Sequence, residues 1–144
     1  MAEKKRVLII CTGNVARSQM AEGILRHLAD DRFEVSSGGL IPSYVRPNAI
    51  AVMKEIGIDI SHHRSKSLNE FIDTPFDYVI TVCDHASQHC PIFPGPAKPL
   101  HWSFPDPSQV SGTHEEKLMR VREIRDAIRA KIDSWCAEVC VSSD

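Results

Sequence analysis

Apolar runs along the chain predict a series of short strands. Residues 6–11 form a continuous apolar run after a charged start, which is typical of a fully buried parallel strand. A short run at 33–37 and a run rich in β-branched residues at 76–82 predict two further strands. A fourth strand fits at 100–103, inside a stretch crowded with proline. We therefore expect four strands, of which the first is buried on both faces.

Helical patterns separate these runs. Apolar residues recur at helical spacing over 18–30, and a second helix is expected over 47–56, with proline in its first turn and Gly57 as its stop. Capping-box spacing at 67–70 predicts a short helical piece, and a second capping box at 113–116 begins a long helix. The apolar stripe of this last helix comprises Leu118, Val121, Ile124, Ile128, Ile132 and Trp135. Alternating strands and helices predict a single α/β domain over 1–144: three layers, with a four-stranded parallel sheet flanked by helices.

Composition narrows the classes of function. With 144 residues, 42% of them hydrophobic and 25% charged, the chain can bury a full core, which excludes a disordered or disulfide-dense protein. The net charge of -2 gives no reason to expect a nucleic-acid or anionic-membrane partner. The apolar run near the start is too short to span a bilayer or to serve as a signal segment. We expect a cytoplasmic protein without a cofactor.

Cysteine is frequent for such a protein, and its number is odd. The five cysteines are Cys11, Cys83, Cys90, Cys136 and Cys140. In a reducing compartment, cysteines of this kind are more often catalytic, redox-active or metal-binding than structural. Cys136 and Cys140 lie four residues apart near the end of the long helix, where one packed and one exposed thiol is the simplest interpretation. A chance dithiol that oxidises or binds a thiophilic ion is the alternative.

The most informative stretch links the first strand to the first helix. It consists of Cys11, Thr12, Gly13, Asn14, Val15, Ala16, Arg17 and Ser18. A short loop that leads into a helix directs backbone N–H groups into one concavity, which suits a tetrahedral oxyanion. Arg17 can bind two oxyanion oxygens at once, and the same positive field favours a nucleophilic Cys11 thiolate, to which Ser18 can donate. Gly13 permits the tight turn, and Asn14 is expected to brace the loop; the alternative is that Cys11 is an inert buried thiol.

This loop resembles that of the low-molecular-weight protein tyrosine phosphatases. The longer pattern over 11–14 and 17–23 is more similar to the arsenate reductases built on that fold. The similarity continues through Ser36–Gly38, Pro47–Ile50, Met53–Glu55, Ile58–Ser61, Val82-Cys83, Cys90-Pro91, His101-Trp102 and Asp106-Pro107, up to about residue 132. The resemblance implies a low-molecular-weight phosphatase-like fold, arsenate as the substrate and thioredoxin as the reductant.

In the thioredoxin-coupled reductases, three cysteines act in sequence, and they match Cys11, Cys83 and Cys90. The resemblance implies that Cys11 forms an adduct with arsenate, that Cys83 attacks Cys11 to release arsenite, and that Cys90 then moves the disulfide to Cys83–Cys90. From the residues alone, two alternatives stay open. Cys83 and Cys90 could ligate zinc with His85 and His89, although the four are compressed into eight residues, or they could be incidental thiols.

An acidic residue lies in the proline-rich stretch after the fourth strand. Asp106 stands between two prolines, and the resemblance implies that it protonates the oxygen that leaves arsenic. A turn-forming aspartate is the alternative. The polar cluster His62-His63-Arg64 is interpreted as solvated surface rather than as part of a site.

One departure from the family pattern concerns a monovalent cation. Some of these reductases have a cation site beside the oxyanion loop, and Asn14, Glu22 and Ser37 match its residues. Lys66 stands where a further acidic ligand would be. We therefore expect no dependence on potassium, because the ammonium would supply the positive charge.

Two rival functions remain open. A phosphomonoesterase acting on phosphotyrosine would explain Cys11, Arg17 and Asp106 but would not need Cys83 or Cys90. A non-catalytic oxyanion or arsenite sensor would have no use for Asp106, and no DNA-binding or partner-binding surface is evident in the sequence. The hypothesis that uses all five residues is arsenate reduction through a thiol relay.

Overall fold

Strands and helices alternate along the chain in the computed structural model, which describes residues 4–14, 16–41, 43–82, 95–105 and 111–142. The strands are β1 (Lys5–Cys11), β2 (Phe33–Gly39), β3 (Tyr78–Thr81) and β4 (Lys98–His101). The helices are α1 (Arg17–Ala29), α2 (Pro47–Lys54) and α3 (His114–Ser142), and a 3₁₀ helix spans Leu68–Phe71. The predicted elements are all present in these ranges, with ends displaced by at most two residues.

The strands form one sheet in the order β2-β1-β3-β4, and every neighbouring pair is parallel. This confirms the predicted α/β fold with a four-stranded parallel sheet. Strand β4 begins at Lys98 rather than at 100, because the parallel pairing with β3 begins with Tyr78 opposite Lys98 and ends with Thr81 opposite His101. Pro99 is tolerated there because β4 is an edge strand of the sheet.

The two faces of β1 belong to two different parts of the core. Val7 and Ile9 pack with the buried faces of α1, α2 and α3, whereas Leu8 and Ile10 pack with Val79 and the 3₁₀ helix. Alternate side chains of a strand point to opposite faces, so a strand covered on both sides needs the unbroken apolar run seen in the sequence. Burial on both sides fixes the position of β1, and therefore of Cys11 at its carboxyl end.

Helix α3 begins with a reciprocal capping box, as predicted. The backbone N–H of Thr113 donates to Glu116 Oε1 at 3.1 Å, and the N–H of Glu116 donates to Thr113 Oγ1 at 3.1 Å. Although α3 has 29 residues, charged side chains recur along it. No helix within the described ranges is long and apolar enough to cross a membrane.

Candidate active site

The site lies where β1 ends and α1 begins. Cys11 is the last residue of β1 and only 2% exposed, and Arg17 opens α1 with 6% of its surface exposed. The end of β2 lies against the intervening loop, since a Cβ atom on Gly39 would be 2.9 Å from Thr12 O and from Asn14 N. No other residue type fits at position 39 without displacing the oxyanion loop. The oxyanion loop is defined here as residues 11–17, of which Val15 lies outside the described residues.

Two donors from the oxyanion loop and helix α1 converge on the Cys11 sulfur. The backbone N–H of Asn14 donates to Sγ at 3.2 Å, and the Ser18 hydroxyl lies 3.0 Å from it. Asn14 adopts a φ of 53°, in the left-handed region that asparagine tolerates better than most residues. The Asn14 N–H and the Ser18 hydroxyl therefore both lie within hydrogen-bonding distance of the sulfur.

The side chain of Asn14 is fully buried and uses its whole hydrogen-bonding capacity. Its Nδ2 donates to Ser18 Oγ at 2.8 Å and to Ser37 Oγ at 3.0 Å. Its Oδ1 accepts from Gln19 Nε2 at 2.9 Å and from the backbone N–H of Lys66 at 2.8 Å. An asparagine amide has two donor hydrogens and two acceptor lone pairs, so all four are satisfied. Asn14 therefore connects the oxyanion loop to α1, β2 and the chain at 66.

A buried carboxylate sets the direction of this network. Ser37 Oγ accepts from Asn14 and donates to Glu22 Oε1 through a short hydrogen bond. Ser18 Oγ also accepts from Asn14, which leaves its own proton free for the Cys11 sulfur. Two chains of hydrogen bonds therefore start at the Asn14 amide and donate away from it. One passes through Ser37 to Glu22, and the other passes through Ser18 to Cys11.

Three basic side chains surround Glu22, whose side chain is 5% exposed. Arg26 Nη2 lies 2.8 Å from Oε2, Lys66 Nζ lies 3.8 Å from Oε1, and His63 Nε2 lies 4.0 Å from Oε2. The Lys66 ammonium also donates to the carbonyl of Arg64 at 2.9 Å. A monovalent cation site needs oxygen ligands without competing positive charge. These residues do not fit such a cation, because two cationic side chains already contact the carboxylate.

Residues 63–66, called here the bracing segment, hold the oxyanion loop from outside. Ser65 Oγ donates to the carbonyl of Gly13 at 2.9 Å, and the Lys66 N–H binds Asn14. His63 Nδ1 lies 2.9 Å from Gln19 Oε1, and Gln19 Nε2 donates to Asn14. The expectation that this cluster is only solvated surface is wrong for His63, whose side chain is 5% exposed. The polar and charged run at 61–67 contains no sequence signal that would have revealed this role.

Burial changes the titration of two members of this cluster. It lowers the pKa of His63 below its ordinary value of 6.5, and the Glu22 carboxylate only partly opposes the effect. Burial also lowers the pKa of the Lys66 ammonium, again against the attraction of Glu22. Near neutral pH we therefore expect a neutral His63, which leaves the positive charge beside Glu22 to Arg26 and Lys66.

Arg17 connects the oxyanion loop to the chain that follows β4. Its Nη1 donates to the carbonyl of Phe104 at 3.1 Å. Asp106 lies two residues further and is outside the described residues, as are Cys83 and Cys90. At the end of the described range 43–82, the N–H of Val82 donates to Ile10 O at 2.9 Å, next to Cys11. The residues that follow β3 therefore meet the end of β1 at the edge of the sheet where Cys11 lies.

The other chemical expectations have simple outcomes. In the described part of the chain, no three His, Cys, Asp or Glu side chains are grouped to hold a metal ion, and the four residues of the zinc alternative lie outside it. Cys136 is half-buried and forms no disulfide. The side chain of Cys140 is not among those described, so the interpretation of this pair stays a prediction.

Comparison with known proteins decides the family. The model of the low-molecular-weight phosphotyrosine protein phosphatases matches residues 6–142. The chain belongs to this family. An arsenate reductase of Shouchella clausii is 42% identical over 132 residues, which cover 92% of this chain and 95% of the relative. The similarity to arsenate reductases that the sequence motifs indicated is thereby confirmed.

Solved structures of family members have the same fold. An arsenate reductase in its oxidised state gives a TM-score of 0.78 at 32% identity, covering 94% of this chain and 98% of the other. A thioredoxin-dependent arsenate reductase of Corynebacterium glutamicum gives a TM-score of 0.75 at 28% identity, with 98% of this chain and 64% of that chain covered. The low-molecular-weight phosphatase-like architecture is therefore confirmed.

Proposed function

We propose that this family member reduces arsenate to arsenite, with Cys11 as the nucleophile. The proposal rests on the surroundings of the buried Cys11 sulfur. This sulfur accepts a hydrogen bond from the Asn14 N–H and lies within hydrogen-bonding distance of the Ser18 hydroxyl at the N-terminus of α1. This surrounding favours a thiolate, and Arg17 at the start of α1 supplies the positive charge that a tetrahedral oxyanion needs. The names of the relatives point to arsenate as that oxyanion.

In the first proposed step, the Cys11 thiolate attacks arsenic. A sulfur–arsenic bond forms, one arsenic–oxygen bond breaks, and the oxygen leaves as water after protonation, while arsenic stays pentavalent. Arg17 and the backbone N–H groups of the oxyanion loop hold the remaining oxygens. We assign the proton to Asp106 on the family resemblance. The Arg17–Phe104 hydrogen bond supports this, since it ties the segment that leads to Asp106 to the oxyanion-binding guanidinium.

In the second proposed step, the Cys83 thiolate attacks the Cys11 sulfur. The electron pair of the sulfur–arsenic bond stays with arsenic, which leaves as trivalent arsenite, and the two cysteine sulfurs are oxidised to a disulfide. The Val82–Ile10 hydrogen bond supports this pairing, because Val82 directly precedes Cys83 in the sequence and Ile10 directly precedes Cys11. Cys90 then attacks Cys83, which frees Cys11 and leaves a Cys83–Cys90 disulfide.

A dithiol protein must return two electrons in each cycle. We propose thioredoxin for this role, whose dithiol is oxidised as Cys83–Cys90 is reduced. Support comes from the Corynebacterium relative, which is named as thioredoxin-dependent. A relay that ends in free thiols needs a reducing compartment, and this agrees with the cytoplasmic location expected from the sequence.

A coupled assay tests the proposal. The chain is mixed with arsenate, thioredoxin, thioredoxin reductase and NADPH, and NADPH oxidation is followed. We expect arsenate-dependent oxidation that Cys11→Ser abolishes and Cys136→Ser leaves unchanged, since Cys136 lies on α3, away from the oxyanion loop. Oxidation at the same rate in Cys11→Ser would overturn the proposal.

The rival function is hydrolysis of phosphate monoesters, which the description of the matching family suggests. Both reactions would use Cys11, Arg17 and Asp106, and only the reductase needs Cys83 and Cys90. An aryl phosphate therefore serves as a second substrate for the same variants. We expect weak hydrolysis that survives in Cys83→Ser, together with complete loss of arsenate reduction in that variant. Efficient hydrolysis without any arsenate reduction in the parent would favour the rival, whereas undiminished arsenate reduction in Cys83→Ser would contradict the relay.

A further inference from the structure

The Glu22 carboxylate is buried, and one intervening residue, Ser37, links it by hydrogen bonds to Asn14 of the oxyanion loop. Its carboxylate accepts from Ser37, which accepts from Asn14, and Asn14 donates to the Cys11 sulfur through its backbone. An ionised carboxylate in a buried position is costly unless a positive charge compensates it. If the Glu22 carboxylate turned away, Ser37 would lose the acceptor that orients its hydroxyl.

Lys66 provides the better protected of the two positive charges at Glu22. Its side chain is 13% exposed, whereas that of Arg26 is 41% exposed and therefore more strongly screened by solvent and salt. The Lys66 ammonium lies between the Arg64 carbonyl at 2.9 Å and Glu22 Oε1 at 3.8 Å. A carbonyl oxygen and a carboxylate oxygen are the type of ligands that a hard cation would take from a protein. The ammonium already lies among these oxygens.

The backbone of Lys66 contacts the same network as its side chain. Its N–H donates to Asn14 Oδ1 at 2.8 Å, and its carbonyl accepts from the N–H of Gly39 at 2.8 Å. Lys66 thus binds the amide oxygen of Asn14 through its backbone N–H, and its side chain supplies the positive charge beside Glu22. A lysine held at both points has little freedom to leave the carboxylate.

We infer that Lys66 is a positioning residue whose ammonium acts as a resident cation, holding the Glu22 carboxylate in place and so orienting Ser37 and Asn14 around the Cys11 sulfur. A fixed cation makes the oxyanion loop independent of monovalent cations in solution. The effect on turnover rests on the proposed function, but the effect on the loop and on Cys11 does not.

The test compares Lys66→Met, which removes the charge at similar volume, with Lys66→Arg, which retains it. Lys66→Asp reverses the charge and adds a carboxylate, and Lys117→Met is the control for loss of an exposed lysine on α3. Each protein is measured in KCl and in choline chloride at equal ionic strength. The first measurement is the alkylation rate of Cys11 with iodoacetamide, read by peptide mass mapping. The second is the midpoint of thermal unfolding, and the third is arsenate reduction in the coupled assay.

We expect the parent and Lys117→Met to behave identically in both salts. Lys66→Met should alkylate about tenfold more slowly in choline chloride, as loss of a charge-assisted contact implies, and Lys66→Arg should recover most of that loss. Lys66→Asp should become potassium-dependent, with a higher unfolding midpoint and faster alkylation in KCl.

Two results would overturn the inference. One is a parent protein whose Cys11 reactivity or unfolding midpoint rises with potassium, and this result needs no variant to fold. The other is a folded Lys66→Met that alkylates at the parent rate in choline chloride. Alkylation and unfolding require no arsenate, so the inference can succeed even if arsenate reduction is absent. Absence of reduction with an intact alkylation pattern would count against the proposed function alone.

Discussion

The backbone N–H of Asn14 donates to the Cys11 sulfur at 3.2 Å, three residues along the chain. Asn14 has a φ of 53°, in the left-handed region, and its side chain is held by four hydrogen bonds. Asn14 therefore contacts the nucleophile through its backbone, and its side chain anchors that backbone to the rest of the fold.

Asn14 should be sensitive to substitution for two separable reasons. Asn14→Gly retains access to the left-handed conformation and loses the four side-chain bonds, whereas Asn14→Ala loses both. We expect Cys11 alkylation to slow by about tenfold in Asn14→Gly and further in Asn14→Ala, in which the left-handed backbone costs about 1 kcal/mol more. Rates of iodoacetamide alkylation at fixed pH measure this. Equal rates in the parent and in Asn14→Gly would show that the side chain does not support the nucleophile.

Arg17 should tolerate no replacement by lysine. The ammonium of Arg17→Lys is a point charge that cannot bind two oxyanion oxygens in parallel, so arsenate turnover should fall by roughly 10²- to 10³-fold. The fold should persist, because the Phe104 carbonyl can accept from either side chain. Steady-state kinetics and thermal unfolding measured on the same samples separate the two effects. Parent-like turnover in Arg17→Lys would contradict bidentate binding.

The proposed relay leaves a different end product in each cysteine variant. After arsenate treatment without reductant, the parent should accumulate Cys83–Cys90, and Cys90→Ser should stop with Cys11 bonded to Cys83. Cys83→Ser should contain no disulfide that includes Cys11. Thiol blocking followed by peptide mass mapping identifies these species. A parent protein in which Cys136–Cys140 is the one arsenate-dependent disulfide would transfer the redox role to the end of α3.

Stability should depend on pH through His63. Its pKa is lower in the folded protein than the ordinary 6.5 of an unfolded chain, so the unfolded state binds more protons between the two values. The unfolding free energy should therefore rise with pH across this window and level off above about pH 7. His63→Asn places an amide nitrogen where Nδ1 binds Gln19 and removes the titration.

Urea unfolding from about pH 5 to about pH 7.5 compares the parent with His63→Asn, and the exposed His114→Asn is the control. The parent and His114→Asn should gain more stability over this interval than His63→Asn does. A pH dependence that is the same in all three proteins would assign the effect to other groups.

Sequence patterns predicted the framework of the fold because local physics determines it. The unbroken apolar run of β1 reflects burial on both faces, and the capping box at Thr113 needs only residues three apart. The position of Cys11 between a buried strand and a helix followed from the same patterns.

The bracing of the site could not be predicted in this way. Ser65 and Lys66 contact the oxyanion loop from 52 positions away along the chain, and His63 contacts Gln19 of α1 from 44 positions away. No local periodicity encodes such contacts. His63 illustrates the difficulty, because a histidine in a run of polar and charged residues is expected to lie on the surface. The structure buries it because Gln19 and Glu22 lie opposite.

The hydrogen bonds that complete the oxyanion loop have a consequence for synthesis of the chain. Cys11 leaves the ribosome early, but Ser65, Lys66 and Phe104, which hold the loop and Arg17, are made much later. Until then, Asn14 and Ser18 are present in the nascent chain but are not held against the Cys11 sulfur, because domains fold as units once their partners are available. Nucleophilic reactivity is thus delayed until the chain is nearly finished, which protects an incomplete protein from oxidants and electrophiles in the cell.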